Sequence, residues 1–285
     1  MYRIITDTCC DFPTEMYDEL QLGVVSLSVN YQNNTYTSYD EPWLKAFFDG
    51  LRNGEVATTA AVNPEGWKAV IEPALQKGED ALVLPFSSGL SATCQSACIA
   101  ADELREQYPD RKINVVDTLA ASLGQGLLVW YACKKRDEGM TLEELTAWVT
   151  ENRLRLCHWF TVDDLMYLKR GGRVSAATAL LGTMLQIKPV LHVDDEGHLI
   201  NVAKARGRRA SIDALIAKLQ KTGLPGENDT VFICHGDCQD DVDYMTKKLK
   251  ETCGVKEVFS YYVGAVIGSH SGPGTLALFF LGDHR

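Results

Sequence analysis

The sequence predicts an α/β protein with an N-terminal parallel sheet wrapped by helices, followed by an α+β domain with a mixed sheet. Strand-like and helix-like segments alternate through the first half, which is the pattern of a parallel sheet with helical crossovers. In the second half, two strand-like segments flank the turn-rich stretch 194–198 and indicate an antiparallel hairpin. We expect domains over residues 1–153 and 154–285, with the ligand in a cleft between them.

Four apolar runs predict the strands of the first domain: Arg3–Thr6, Val24–Tyr31, Ala81–Phe86 and Ile113–Val116. The pair Asn63-Pro64 is typical of a helix start, and apolar residues then recur at helical spacing. A further helix is expected from about Leu119 to Lys135. The stretch Thr141-Leu142-Glu143-Glu144 is a capping box that begins the next helix, which ends near Asn152. This close pair of helices marks the expected domain edge.

The hairpin of the second domain is predicted to pair Ile187–Val193 with Leu199–Ala205. Thr230–Ile233 reads as another strand. The most apolar window, Thr275–Leu281, is about a third of the roughly 20 residues that cross a bilayer, so we interpret it as a core strand rather than a membrane segment.

Charge and cysteine content narrow the functional class. The net charge is −10, and no stretch strings together five or six Lys or Arg, so neither a nucleic acid nor an anionic membrane is expected as the main partner. Nine cysteines and an N-terminus without a secretion signal predict a cytoplasmic protein with reduced thiols. The segment Cys234–Cys238 has no second ligand pair at zinc-finger spacing, so no metal is expected.

A hydroxyl-rich segment, Ser87–Thr93, follows the predicted strand that ends at Phe86 and precedes a helical run from Cys94 to about Glu106. Ser91 stands where an N-cap belongs. A hydroxyl beside the free N–H groups of a helix N-terminus forms a small anion site for a phosphate or a carboxylate. Alternatively, Ser91 only caps its helix. The segment lacks a P-loop ending and the last glycine of a nucleophile elbow, so nucleotide binding and serine hydrolysis are weakly supported.

The turn-rich stretch Gly268–Gly274 near the C-terminus holds His270 between small residues. In a loop, this histidine is well placed to meet a ligand, although a loop histidine is more often a solvated or capping residue. The stretch Arg170–Arg173 is typical of a helix stop, with glycine at the C-cap and basic residues near the negative end of the helix dipole.

Taken together, these segments resemble the DegV family over essentially the whole chain. The matching segments are Asp7–Pro13, Ser87–Thr93, Asp117-Thr118, Leu165–Arg173, Ile187–Pro189, Arg206-Gly207 and His270–Gly274. The resemblance implies two α/β domains with a long-chain fatty acid between them. It also implies no cofactor and no catalysis by the chain alone, because in bacteria with a fatty-acid kinase such proteins are similar to the subunit that presents the acid to a separate kinase for conversion to acyl phosphate.

The resemblance also implies roles for individual residues. Thr59 and Ser91, on two loops, would hold the carboxylate, with the Ala92 backbone N–H and His270 in support. The tail-lining candidates are Leu180, Leu181, Met184, Leu185 and Ile187, for which ordinary core packing is the competing interpretation. Arg173 and Arg206 would face the kinase or balance the charge of the transferred phosphoryl group. No Lys or Arg neighbours Thr59 or Ser91 in the sequence, and neutral donors suit a single carboxylate.

Two segments depart from the family pattern. Residues 59–63 read Thr-Ala-Ala-Val-Asn where many members have Thr-Ser-Gln-Pro-Ser, and Ala92 replaces a glycine. The competing hypotheses are an acyl hydrolase or phosphotransferase with Ser91 as nucleophile and His270 as base, and a lipid-sensing transcription regulator, which the acidic charge disfavours.

Overall fold

The computed structural model describes residues 1–175 and 186–285. Its strands, numbered along the chain, are β1 (Tyr2–Asp7), β2 (Gly23–Val25), β3 (Ser28–Tyr31), β4 (Asn34–Tyr36), β5 (Thr58–Ala60), β6 (Asp80–Leu84), β7 (Ile113–Val115), β8 (Leu156–Thr161), β9 (Ile187–Val193), β10 (Leu199–Arg206), β11 (Thr230–His235), β12 (Glu257–Tyr262) and β13 (Leu276–Leu281). Its helices are α1 (Thr14–Glu19), α2 (Glu41–Arg52), α3 (Pro64–Gln76), α4 (Thr93–Gln107), α5 (Leu123–Asp137), α6 (Leu142–Asn152), α7 (Met166–Arg170), α8 (Arg208–Thr222), α9 (Gln239–Cys253) and α10 (Ala265–Ser271). Short 3-10 helices occupy Thr8–Cys10 and Arg153–Arg155.

The first sheet has the strand order β2-β1-β6-β7 and is parallel throughout. Its two central strands, β1 and β6, are largely buried, as expected for a sheet covered by helices. Helix α3 begins where Asn63 accepts a hydrogen bond from the Gly66 N–H, and it buries Trp67 and Ile71 against the sheet. The predicted parallel α/β domain is therefore confirmed.

The second sheet has the order β10-β9-β8-β13-β11-β12 and is mixed, because β11 and β12 run parallel and the other pairs are antiparallel. The predicted hairpin is present as β9 and β10, and β13 is a fully buried central strand, as the apolar window at 275–281 predicts. All described strands from Leu156 onward belong to this sheet. The expected boundary between residues 153 and 154 lies just before it and stays a prediction.

Helix α5 packs between the second sheet and the segment that follows β1. It contacts β8, β11 and β13 of the second sheet and also the 3-10 helix that follows β1. Its residues from Leu123 to Val129 are buried, which explains why the helix is apolar around much of its circumference rather than along one stripe.

Two predicted element bounds are wrong. The run Val24–Tyr31 is not one strand, because the chain leaves the first sheet after β2, where the Thr8 hydroxyl accepts a hydrogen bond from the Leu27 N–H. It then enters a separate three-stranded sheet of order β4-β3-β5. The helix expected from Leu119 begins at Leu123, because Leu119 and Ser122 have φ values of 51° and 55°, which an α-helix does not accommodate.

The capping box at α6 gives a direct stability test. Thr141 accepts a hydrogen bond from the Glu144 N–H, and the Glu144 carboxylate accepts one from the Thr141 N–H. We expect Thr141→Ala to lower the free energy of unfolding by about 1 kcal/mol in urea titrations. Thr150→Ala, which removes an exposed hydroxyl inside the same helix, is the control and should change it by less than about 0.5 kcal/mol. Equal losses in the two variants would contradict the capping role.

Candidate functional site

A cavity of about 300 Å³ lies between the first half of the chain and the second sheet. This volume is at the lower end of the range of roughly 300–1,000 Å³ typical of small-molecule sites. The apolar part of its wall comes from both halves of the chain: Leu27, Phe86, Leu90, Phe160, Leu168, Val193, Leu199, Val263, Val266, Ile267 and Phe279. Such a wall binds hydrocarbon by removing it from water.

A hydrogen bond between Thr59 and His270 joins the two halves at this cavity. The Thr59 hydroxyl lies 2.8 Å from Nε2 of His270, and both residues line the cavity. Two expectations about their setting are wrong: Thr59 is in the middle of β5 rather than in a loop, and His270 is in the last turn of α10. The small residues around His270 allow a helix because Gly268 and Ser269 are buried in close packing.

The residue facing the other side of the His270 ring has to be glycine. A Cβ at Gly171 would lie 2.3 Å from Nδ1 of His270, well inside contact distance. Gly171 also ends α7 as its C-cap, as the helix-stop interpretation predicts. The same residue therefore terminates a helix and makes room for the imidazole.

Burial holds His270 in its neutral form. Burial, together with the smaller effect of the nearby positive charge of Arg173, lowers the pKa of the imidazole from its usual 6.5 to about 4. A neutral imidazole has one donor and one acceptor nitrogen, so at pH 7 it can hydrogen-bond to a hydroxyl or to a carboxylate without bringing a full charge.

Ser91 and Ala92 lie at the start of α4, one residue out of the expected register. The N-cap is Ala92, which has no capping side chain, while the Ser91 hydroxyl accepts a hydrogen bond from the Thr93 N–H and lies 2.9 Å from the Thr93 hydroxyl. Ser91 is thus not the N-cap that the sequence predicts. Its hydroxyl forms a local turn instead, and the Ala92 N–H has no acceptor among the described residues.

Arg173, for which the resemblance implied a kinase-facing or phosphoryl-balancing role, lines the same cavity and brings a positive charge to it. Its guanidinium donates to the carbonyl of Leu90 from Nε and Nη2, at 3.2 and 2.9 Å, and to the carbonyl of Gly171. No carboxylate of the described residues pairs with it. The expectation that no cation neighbours Ser91 is therefore wrong. Sequence distance hides the contact, because residues 90 and 173 meet only through the packing of the two halves.

The structure keeps Arg206 away from this cavity. It is exposed at the end of the edge strand β10, and its guanidinium forms no ion pair or hydrogen bond with the part of the chain described. Among the tail-lining candidates, Ile187 begins β9 and is absent from the described lining. Leu180, Leu181, Met184 and Leu185 lie outside the described residues.

A second polar group in the cavity wall was also missed. The Ser122 hydroxyl donates to Oδ2 of Asp11 and lies 3.1 Å from the Cys234 sulfur. Ser122 has φ 55° and ψ −149°, a strained conformation for a residue with a Cβ. His158, buried in the same wall, hydrogen-bonds through Nδ1 to the Leu156 carbonyl, and burial lowers its pKa well below the usual range. The positive φ of Ser122 could not be predicted from the sequence, because glycine or asparagine, and not serine, usually indicates this conformation.

The turn of the β9–β10 hairpin packs against the loop that precedes Ser91. The Ser87 hydroxyl donates to the Gly197 carbonyl at 3.0 Å. Gly197 has φ 79°, and a Cβ there would lie 2.1 Å from the Ser87 oxygen. The second sheet therefore supports the loop on which Ser91 stands.

No group of three or more His, Cys, Asp or Glu side chains that could hold a metal ion occurs among residues 1–175 and 186–285. The nine cysteines are free thiols. Within the same residues, none of the helices combines the length and the apolar character that a membrane span requires.

Comparison with known proteins relates the chain to a family. The family model described as "Uncharacterised protein, DegV family" matches residues 1–283. A DegV domain-containing protein of Clostridium perfringens is 44% identical over 286 residues, which cover 100% of this chain and 98% of the relative. One from Lactococcus lactis is 35% identical and covers 98% of this chain and 96% of its own length.

Two solved structures are similar over nearly the whole chain. A DegV family protein from Thermus thermophilus, described by its fatty-acid binding, has a TM-score of 0.87 at 32% identity and covers 99% of both chains. A protein from Thermotoga maritima, whose structure is said to reveal a fatty-acid-binding function, has a TM-score of 0.85 at 28% identity, again over 99% of both chains.

The lowered pKa of His270 predicts a pH dependence of stability. Below pH 6.5 the unfolded chain takes up a proton that the folded imidazole refuses, so the free energy of unfolding falls as the pH drops toward 4. At pH 5 the loss from this residue is about 2 kcal/mol.

We expect His270→Gln to reduce the difference in unfolding free energy between pH 7 and pH 5 by about that amount, about 2 kcal/mol, in urea titrations of lipid-free protein. Other buried histidines contribute equally to both proteins. His198→Gln, at an exposed position, serves as the control and should leave the pH dependence as in wild type. An unchanged pH dependence in His270→Gln would show that this imidazole is not kept neutral by burial.

Proposed function

The chain belongs to the DegV family, and on that premise we propose that it binds one long-chain fatty acid, with its carboxylate at the Thr59–His270 hydrogen bond and its tail in the cavity between the two halves. The observation that carries the proposal is the composition of this cavity. Its wall is largely apolar, while hydroxyl, imidazole and guanidinium groups come together in it. A fatty acid has the same division into hydrocarbon and one charged group.

The head group is served by donors of several kinds. Thr59 and Ser91 supply hydroxyls, Ala92 an unpaired backbone N–H, and His270 a ring nitrogen. Arg173 adds a positive charge that no described carboxylate neutralises. A buried carboxylate without partners would cost several kcal/mol, so this number of donors is what such a ligand requires.

The tail supplies most of the affinity. Burying a methylene group contributes about 0.8 kcal/mol, so about fourteen methylenes contribute on the order of 11 kcal/mol before the cost of ordering the ligand. The apolar residues that line the cavity offer no hydrogen-bonding groups that would select a polar tail. Affinity then follows the length of hydrocarbon buried, and the head group fixes its direction.

In this proposal the chain is not an enzyme by itself. It presents the fatty acid in the cytoplasm to a separate kinase, which supplies the nucleotide and forms the acyl phosphate. Arg206 is exposed and unpaired within the described chain, which suits a contact with that kinase, whereas the half-buried Arg173 suits a role beside the carboxylate. The rival Ser91–His270 hydrolase is less well supported, because the His270 ring bonds to Thr59 and the Ser91 hydroxyl to Thr93.

Lipid extraction tests the binding proposal. Mass spectrometry of the organic extract of purified protein should find about one fatty acid per chain, held by the donors that a buried carboxylate needs. In Thr59→Ala/Ser91→Ala we expect the retained amount to fall at least about tenfold, equivalent to losing one or two hydrogen bonds to a charged group.

Thr58→Ala is the matched control, since Thr58 is exposed on the same strand. It should retain fatty acid as wild type does. Absence of fatty acid from wild type, even after incubation with oleate or palmitate, would exclude the proposal. Turnover of an ester by wild type that disappears in Ser91→Ala would support the hydrolase instead.

Charge reversal tests the kinase contact. We expect Arg206→Glu to slow kinase-dependent formation of acyl phosphate at least about tenfold, because a like charge replaces an attractive one at the interface. Fatty-acid retention should be unchanged, since Arg206 is not among the residues that line the cavity. Lys221→Glu, an exposed charge at the end of α8, is the control. Equal rates for Arg206→Glu and wild type would remove Arg206 from the interface.

A further inference from the structure

A second cavity, of about 180 Å³, lies on the other side of Asp11 from the proposed fatty-acid site. Its wall combines the segment after β1, the residues around Ser38 and Tyr39, and β12 with Gly264. It thus lies where the two halves meet, and it shares no lining residue with the first cavity among the described residues.

The carboxylate of Asp11 is only half satisfied. Asp11 is 4% exposed, and its Oδ2 accepts the Ser122 hydrogen bond from the wall of the first cavity. Its Oδ1 lies against the backbone of Gly264, whose N–H approaches the carboxylate outside strict hydrogen-bond geometry, and it has no other donor among the described residues. A buried charged group with an unpaired oxygen costs free energy, so its retention calls for a partner.

No positively charged residue of the described chain lines this second cavity, and Asp11 is the acid in its wall. Burial raises the pKa of Asp11 to about 7, against the opposing effect of the Ser122 hydroxyl and the Gly264 amide. The protein itself therefore supplies no counter-charge here. A cationic ligand would both pair with Oδ1 and favour the ionised carboxylate.

The rest of the wall is aromatic and hydroxylic. Five rings line it, from Phe12, Tyr17, Tyr39, Tyr261 and Tyr262. Ring faces attract cations, most strongly those that are weakly hydrated and carry an apolar body. A metal ion would instead need several oxygen ligands in regular geometry. The combination of one carboxylate with several rings favours an organic cation.

We infer that the second cavity binds a small organic cation, a primary or methylated ammonium group, with Asp11 as its counter-ion and the tyrosine rings as its cage. Tyr261 and Tyr262 are half-buried on the edge strand β12, so the cavity has a side that solvent can reach. The fatty-acid proposal gives no role to the segment after β1 that contains Asp11 and Phe12, and this inference gives it one.

Calorimetric titration of the full-length protein with methylammonium and tetramethylammonium chloride tests the inference, with potassium chloride at equal ionic strength as the reference. We expect saturable binding of one ammonium ion per chain. Asp11→Asn should weaken it at least about tenfold by removing the counter-charge. Tyr261→Leu, at a half-buried position where misfolding is not expected, should weaken it about 3- to 30-fold by removing a ring face.

Tyr244→Leu is the matched control, because Tyr244 of α9 stacks under Arg209 of α8, away from the cavity, and should bind as wild type does. The inference is overturned if neither ammonium ion binds saturably, if potassium binds equally well, or if Asp11→Asn and Tyr261→Leu both bind like wild type. Fatty-acid retention, measured on the same samples, reports separately on the proposed function.

Discussion

The hydrogen bond between Thr59 and His270 is the contact on which the site is organised, because it joins a short strand of the first half to a helix of the second. It places a hydroxyl and a neutral imidazole in a largely apolar seam. The other features follow from accommodating that ring. Gly171 leaves space beside Nδ1, α7 ends at that glycine, and the chain then turns so that Arg173 reaches the Leu90 carbonyl. The Thr59–His270 hydrogen bond thus helps to position a hydroxyl, an imidazole and a guanidinium group in one site.

Desolvation sets the chemistry of the whole seam. Burial keeps His270 and His158 neutral and raises the pKa of Asp11, so these side chains interact mainly through directed hydrogen bonds. Arg173 is the exception, because a guanidinium stays protonated even when half-buried. Under the proposed function, an anionic head group would therefore meet one full charge among neutral donors, an arrangement that suits a carboxylate better than a phosphate, whose sites usually gather several cations.

The parts of the fold that follow from local rules could be predicted from the sequence, and those that depend on meetings across the chain could not. Asn63-Pro64 and the Thr141 capping box determine helix starts within a few residues, and the 194–198 turn determines a hairpin. The division of Val24–Tyr31 between two sheets depends on Thr8, and the late start of α5 depends on a strained Ser122. Ser91 and His270 were candidates from their own sequence context and Thr59 from resemblance to a family, whereas the approach of Arg173 to Leu90 needed the packed structure.

The contact between Ser87 and the Gly197 turn has a consequence for exchanging parts between relatives. The loop before Ser91 and the hairpin turn come from opposite halves of the chain, yet each fills the space that the other leaves. A chimera that takes residues 87–91 from one family member and the hairpin from another would bring together surfaces not selected to match. Grafting a new version of the loop before Ser91 onto this scaffold therefore means transplanting two segments that are more than a hundred residues apart as a single unit.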